Sequence, residues 1–485
     1  MAANTNSQLR FTEFYNIIDG KLETTRETVH GINPSTLEKL APLPLSTPED
    51  VDRAVRAARK ASEVWAGVPY RERQNIIAKF ADGIEAIGES LAPLLVKEQG
   101  KSLAMAQMEV GMCANFLRGY AKLPEPEDVI EDKPGRRVIT KYVPIGVAVG
   151  IVPWNEIAWL TCRIAGVKLG PALVAGNAVI LKPSPFTPYC NLKIVELAQQ
   201  YFPPGVVQAL NGNDNLGPWL TAHPGVDKIS FTGSTATGKK VMQSAAATLK
   251  RVTLELGGND PAIICGDVDI KAVAPKIAFS SLVNSGQVCI ASKRIYVHES
   301  IYDEFLKELV TAVEQHSVGD GLDSNVVLGP VQNHLQFARV KDLLADIQAN
   351  NLKLATGSTE ASNAGKGYFI TPTVVDNPPD DSRIVVEEPF GPVFPVLKWK
   401  DEEEVLRRAN DTDMGLGSSV WTKDLEKAER FSTKLNAGTV WINSNLELDP
   451  NVAFGGVKHS GIGAEHGLEG IKSYCNVKSV YINAA

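Results

Sequence analysis

Cysteine is scarce and poorly placed for cross-linking. Six residues, at 113, 162, 190, 265, 289 and 475, are scattered over 485 positions, and none forms a CxxC pair. That excludes a disulfide framework and a zinc knuckle, and it reads as the reduced thiols of an intracellular protein. Long hydrophobic runs are missing as well. The longest, residues 145–154, is about half of the roughly 20 residues a membrane helix needs, so it reads as a buried strand or loop and no membrane partner is expected. Positive charge is not in excess. The 49 Lys and Arg stand against 56 Asp and Glu, a formal charge of −7, which argues against a polyanion surface and against nucleic acid as a partner. None of the seven histidines stands in HExxH or another ligand spacing, so no metal site is assigned. The polar start, Met-Ala-Ala-Asn-Thr-Asn-Ser-Gln, lacks the apolar core of a signal peptide, and the final residues carry no retrieval address; the expected location is cytoplasmic.

The remaining composition, 44% hydrophobic and 22% charged with 40 Gly and 29 Pro, is that of an ordinary globular protein. Its length predicts about three domains. From Phe14 to Pro42, short apolar runs punctuated by Gly20, Gly31 and Pro34 predict a strand-rich start. Thr47-Pro48-Glu49-Asp50 then opens a helical region that runs to about Lys122. Residues 125–134, with five acids and two prolines, read as a solvated linker. The alternating 136–143 after it reads as an exposed strand, the two together having the outline of a protruding hairpin. Beyond Pro144, short apolar strands alternate with helical stretches to about Phe231, and a second alternation runs from Ala262 to about Val440. Both patterns predict βαβ units and parallel sheets, hence two α/β domains.

Three local constellations could carry chemistry. Phe231-Thr232-Gly233-Ser234 follows a strand and can open a helix whose N-terminal amides suit a pyrophosphate. Lys182-Pro183-Ser184-Pro185 ends another strand, where ligands gather in open α/β sheets. Gly286-Gln287-Val288-Cys289 presents a thiol, with Glu255-Leu256-Gly257-Gly258 lying 34 residues upstream of it. Alone, each has an ordinary reading: a tight turn, a surface lysine, a core cysteine, a charge at a strand edge. Together, the thiol and the carboxylate fit covalent catalysis, in which a thiolate attacks a carbonyl and a carboxylate activates the water that releases the acyl group.

These segments, with Pro153-Trp154-Asn155, Lys168-Leu169-Gly170-Pro171, Glu387-Glu388-Pro389-Phe390-Gly391-Pro392 and Phe454-Gly455-Gly456 through Glu465, occur in an order and spacing that resembles the NAD(P)-dependent aldehyde dehydrogenase superfamily over nearly the whole chain. The resemblance implies an α/β fold with a Rossmann-type cofactor domain (1–125 and 145–257), an α/β catalytic domain (258–459) and a small β oligomerisation arm (126–144 and 470–485), assembled as a homodimer or homotetramer. It implies oxidation of an aldehyde, the small-molecule substrate, to a carboxylic acid. By matching position, Cys289 is the nucleophile, Glu255 the general base and Asn155 the oxyanion donor, while Lys168 and Glu465 relay protons. Trp154, Lys182, Ser184, Pro185, Gly233, Ser234, Leu256, Gly257, Glu388 and Phe390 are implied around the cofactor, and Val288, Ile290 and Phe454 around the substrate. The alternative is a catalytically altered dehydrogenase-like scaffold without redox activity.

Two features depart from that pattern. Twelve residues, 156–167, separate Asn155 from Lys168 where the common pattern has about eight. An extra turn of about 6 Å is therefore expected, rotating the following face by about 40° and bringing Glu156, Trp159 and Arg163 to an unusual substrate mouth. Pro185 replaces the glutamate that strictly NAD-using relatives often place against the ribose hydroxyls. NAD is the cofactor read here, with NADP left open.

Overall fold

The computed structural model describes residues 9–155, 161–360, 362 and 365–484. The strand-rich start holds β1 (Asn16–Ile18), β2 (Lys21–Glu23), β3 (Thr28–Ile32) and β4 (Lys39–Pro44). Helices α1 (Pro48–Ala66), α2 (Tyr70–Ala86), α3 (Gly88–Gln99) and α4 (Leu103–Tyr120) follow. The polar residue before Pro48 acts as expected. The Thr47 hydroxyl accepts from the Asp50 amide, and the Asp50 carboxylate accepts from the Thr47 amide in return, satisfying two donors at the start of α1.

Residues 125–134 differ from the linker reading. Glu127–Lys133 is a strand, β5, paired antiparallel with β6 (Arg136–Pro144), which pairs in turn with the last strand of the chain. The ladder is made of main-chain hydrogen bonds, and β5 is an edge strand whose side chains are mostly exposed, so acidic composition did not prevent pairing. The hairpin outline was the better guide.

Next come β7 (Val147–Ile151), α5 (Thr161–Ala175), β8 (Ala178–Lys182), α6 (Tyr189–Ala198), β9 (Val207–Ala209), α7 (Leu216–Ala222), β10 (Lys228–Thr232), α8 (Thr235–Ala246) and β11 (Arg251–Glu255). Strands β11, β10, β7, β8 and β9 lie side by side, all parallel. Alternation along them divides two cores. Val147, Val149, Ile151, Ala178 and Ile180 face a cluster with α1 and α7, whereas Ala148, Val179 and Leu181 face the larger cluster with α2 to α6. A sheet covered on both faces needs such near-continuous apolar strands.

A second sheet is built from β12 (Asp260–Ile264), β13 (Ser292–His298), β14 (Leu354–Thr356), β15 (Thr373–Asp376), β16 (Val393–Trp399), β17 (Gly417–Trp421) and β18 (Thr439–Ile442), with α9 (Ile270–Leu282) between its first two strands. The chain then returns to the first sheet. Two residues, β19 (Gly461–Ile462), pair antiparallel with Glu255 and Leu254 at its edge, before β20 (Cys475–Asn483) completes a three-stranded sheet with β6 and β5. No helix among the described residues is long and apolar enough to cross a membrane.

Candidate active site

Parallel strands aligned in register deliver their following loops to one edge. Trp154 and Asn155 follow β7, Lys182 ends β8, Gly233 and Ser234 follow β10, and Glu255 ends β11, so four segments far apart in sequence emerge from four adjacent strands. The return strand β19 pairs with the last of them and carries Phe454 and Glu465 with it through a β-bridge between those two residues.

The thiol sits on a contorted loop. Asn284, Ser285 and Gly286 take φ values of 52°, 57° and 71°, three successive residues in the left-handed region. Hydrogen bonds hold them there: Asn284 Nδ2 donates to the Asn155 carbonyl at 3.0 Å, and Ser285 Oγ to the Gly329 carbonyl at 2.7 Å. Asn155 reciprocates, its Nδ2 donating to the Gln287 carbonyl at 3.1 Å. Only one of the two N–H bonds on that nitrogen is used among the described residues, which leaves the other as a donor beside the thiol loop. Gln287 Oε1 accepts from the Gln332 amide at 2.9 Å and pins the loop from the far side.

Cys289 keeps part of its surface exposed, but the protein packed around the thiol pushes its pKa up to about 12; nearby Lys293 opposes that rise, and Glu388, Asp260 and Glu255 add to it. Glu255 is 4% exposed, and neither carboxylate oxygen has a hydrogen-bond partner among the described residues. Burial first, then the Glu465 carboxylate, raises its pKa well above the ordinary value, while Lys168 pulls it down. Lys168 in turn forms a buried ion pair with Glu465, which also accepts from Ser230 Oγ at 3.2 Å. The sequence-predicted thiol, carboxylates, lysine and amide thus meet at one place.

The predicted cofactor residues flank them. Ser234 caps α8, accepting from the Thr237 amide at 3.3 Å, and the Gly233 amide donates to the Glu255 carbonyl at 3.0 Å. Leu256 is buried, and its amide donates to the Ser460 carbonyl. A Cβ on Gly257 would come within 2.5 Å of Glu388 Oε2, so only glycine lets that carboxylate lie against the backbone. Glu388 also accepts from the Gly258 amide at 3.2 Å. Trp154 and Phe390 meet edge to face at 5.6 Å. The Lys182 ammonium is buried with one acceptor among the described residues, the Pro183 carbonyl at 3.0 Å, and burial lowers its pKa to about 8. Ser184 accepts from the Phe186 amide, and Pro185 is half-buried beside it. A buried cation short of acceptors, one strand removed from an exposed helix N-terminus, fits a dinucleotide phosphate and ribose.

Among the predicted substrate residues, Val288, Ile290 and Phe454 are buried in the apolar cluster against which Cys289 packs, with Phe454 stacked on His466 at 5.5 Å. Glu156 and Trp159 lie outside the described residues, as does the side chain of Arg163 and with them the expected extra turn. Sequence reasoning missed Lys293, whose ammonium donates to the carbonyls of Cys289 at 2.7 Å and Gly258 at 2.9 Å and to Glu388 Oε1 at 2.9 Å. Its position four residues after the thiol was visible, but its partner Glu388, 95 residues away, was not.

A family model described as the aldehyde dehydrogenase family matches residues 22–480. The chain is 42% identical over 472 residues to the aldehyde dehydrogenase LUC3 of a Fusarium species, covering 97% of this chain and 99% of that protein. Among solved structures, it is similar to an NADP-dependent enzyme of E. coli, with TM-score 0.93 and 33% identity over 98% of each chain. It is also similar to a betaine aldehyde dehydrogenase of Staphylococcus aureus in complex with NAD+, with TM-score 0.92 and 33% identity over 97% of this chain and 96% of that one.

Proposed function

The chain belongs to the aldehyde dehydrogenase family, and from that premise we propose that Cys289 is the nucleophile of its NAD(P)-dependent oxidation of an aldehyde to a carboxylic acid, with Glu255 the general base and Asn155 the oxyanion donor. The observation that carries the assignment is a buried carboxylate without a hydrogen-bond partner among the described residues, close enough to act electrostatically on a thiol whose loop is tied to the Asn155 amide.

Each residue then has a defined task. Cys289, partly exposed, gives its proton to solvent water and its sulfur bonds to the aldehyde carbon as the C=O π bond opens; the oxygen, now carrying the negative charge, is held by the unused N–H of Asn155 and the Cys289 amide. NAD(P), when bound, supplies the two-electron acceptor that turns this adduct into a thioester. Water attacks the thioester carbon as its proton passes to Glu255, the C–S bond breaks, and Cys289 leaves as thiolate with release of the acid. Lys168 stabilises the ionised form of Glu255, and the buried pair with Glu465 offers the proton a way onward. Ser234 and the amides of α8 would hold the pyrophosphate, Lys182 and Glu388 the riboses, and Trp154 and Phe390 the walls of the nicotinamide site. The segments 1–125 with 145–257, 258–459, and 126–144 with 470–485 are assigned as cofactor domain, catalytic domain and oligomerisation arm of a cytoplasmic homodimer or homotetramer.

The test is absorbance of reduced cofactor on adding a panel of aliphatic, aromatic and charged aldehydes with NAD+ or NADP+. Reduction coupled one to one with acid formation is the expected outcome; no reduction with any of them overturns the reading. NAD is proposed as the preferred cofactor. Pro185→Glu should raise the ratio of kcat/KM for NAD over NADP, because a carboxylate there repels a 2′-phosphate. An unchanged ratio separates the 2′ position from this loop.

A further inference from the structure

An ammonium has three donors, and in Lys293 all three are spent on three different segments of the site. One bond goes to the main chain of Cys289, one to Gly258 in the loop that follows Glu255, and one to the carboxylate of Glu388; the side chain is 4% exposed. The Phe390 ring lies 5.8 Å from the same nitrogen. The thiol loop, the end of the first sheet and the segment carrying the proposed ribose ligand are therefore fastened to one buried charge.

The charges around the thiol are unbalanced without it. Glu255 on β11, Asp260 on β12 and Glu388 beyond β15 are the carboxylates acting on Cys289, and each disfavours the thiolate; Lys293 at the start of β13 is the cation among them that favours it. A cation bonded to the nucleophile's own carbonyl acts through a few ångströms of buried protein, where charge interactions are strong.

We propose that Lys293 is a positioning residue for the thiol chemistry: its ammonium locks the Cys289 main chain to the Glu388 carboxylate and supplies the positive charge that favours the Cys289 thiolate. This deepens the assignment of Cys289 as nucleophile and rests on it. It also gives Glu388 a second task, since the carboxylate proposed for the ribose partly neutralises the charge that activates the thiol.

The experiment is the pH dependence of Cys289 alkylation by iodoacetamide in the cofactor-free protein, followed by mass spectrometry of the Cys289 peptide so that the other thiols do not contribute. Lys293→Met should shift the profile alkaline by about one pH unit, which is about tenfold slower alkylation at neutral pH. Lys293→Arg, which keeps the charge, should return it toward the parent. Glu388→Gln should shift it acid by unmasking the ammonium, and it reports on the same balance if Lys293→Met does not fold. An unchanged profile in folded Lys293→Met, or no acid shift in Glu388→Gln, overturns the proposal. Failure of the nucleophile assignment is a different result, namely retained aldehyde turnover in Cys289→Ala.

Discussion

Glu255 carries two opposing demands. As the proposed base it must be ionised, yet burial and the neighbouring Glu465 carboxylate both hold its pKa high, and Lys168 is the group that counters them. Thioester hydrolysis should therefore rise with pH as Glu255 deprotonates through its raised pKa. Lys168→Met removes the countering cation, raises that pKa further and should move the pH profile of steady-state turnover to the alkaline side; a profile that stays in place would separate Lys168 from the base. Glu255→Gln removes the proposed base itself. Adduct formation and oxidation continue while thioester release slows, so rapid mixing should record a burst of reduced cofactor followed by a slow steady rate. Loss of the burst along with the steady rate would assign Glu255 an earlier task, such as taking the thiol proton.

The elements around the site show what a sequence reveals and what it hides. Caps and periodic strands are local, so Thr47 before α1, Ser234 before α8 and the apolar runs of β7, β8 and β10 could be read from short windows. The loop before Cys289 could not. Its three positive φ angles include those of Asn284 and Ser285, and a side chain in that region costs about 1–3 kcal/mol unless its surroundings hold it. Here they do so through Asn155 and Gly329, contacts 129 and 44 residues away in the chain. A Cβ on Gly286 would stand 2.0 Å from the Gly391 carbonyl oxygen. Gly286→Ala should accordingly lower unfolding stability by about 2 kcal/mol or more and displace the thiol, measured by urea melts together with alkylation of Cys289. Parent-like stability and reactivity would mean the loop can move aside. The two-residue β19 was equally unreadable, because a pair of residues has no period and its partner is the distant β11.

On the scale of the whole molecule, the three-stranded sheet stands out by what it leaves uncovered. Val129, Ile130, Val477, Tyr481 and Ile482 are all about half exposed or more, on the edge strands β5 and β20, whose outer edges have no neighbouring strand among the described residues. Apolar side chains beside open edges suit burial against another copy. Val477→Asp with Tyr481→Asp should convert the proposed oligomer to a smaller species by light scattering, whereas an unchanged mass would move the interface elsewhere. The ion pair between Lys168 and Glu465 has a consequence of another kind. Its two halves are 297 residues apart. At an elongation rate of about 5–20 residues per second, a ribosome adds the glutamate roughly 15–60 s after the lysine. Until then the lysine's pocket has no anion and Glu255 lacks the strand that borders it, so a nascent chain should hold its proposed nucleophile and base for some time before the lysine beside the base has its partner.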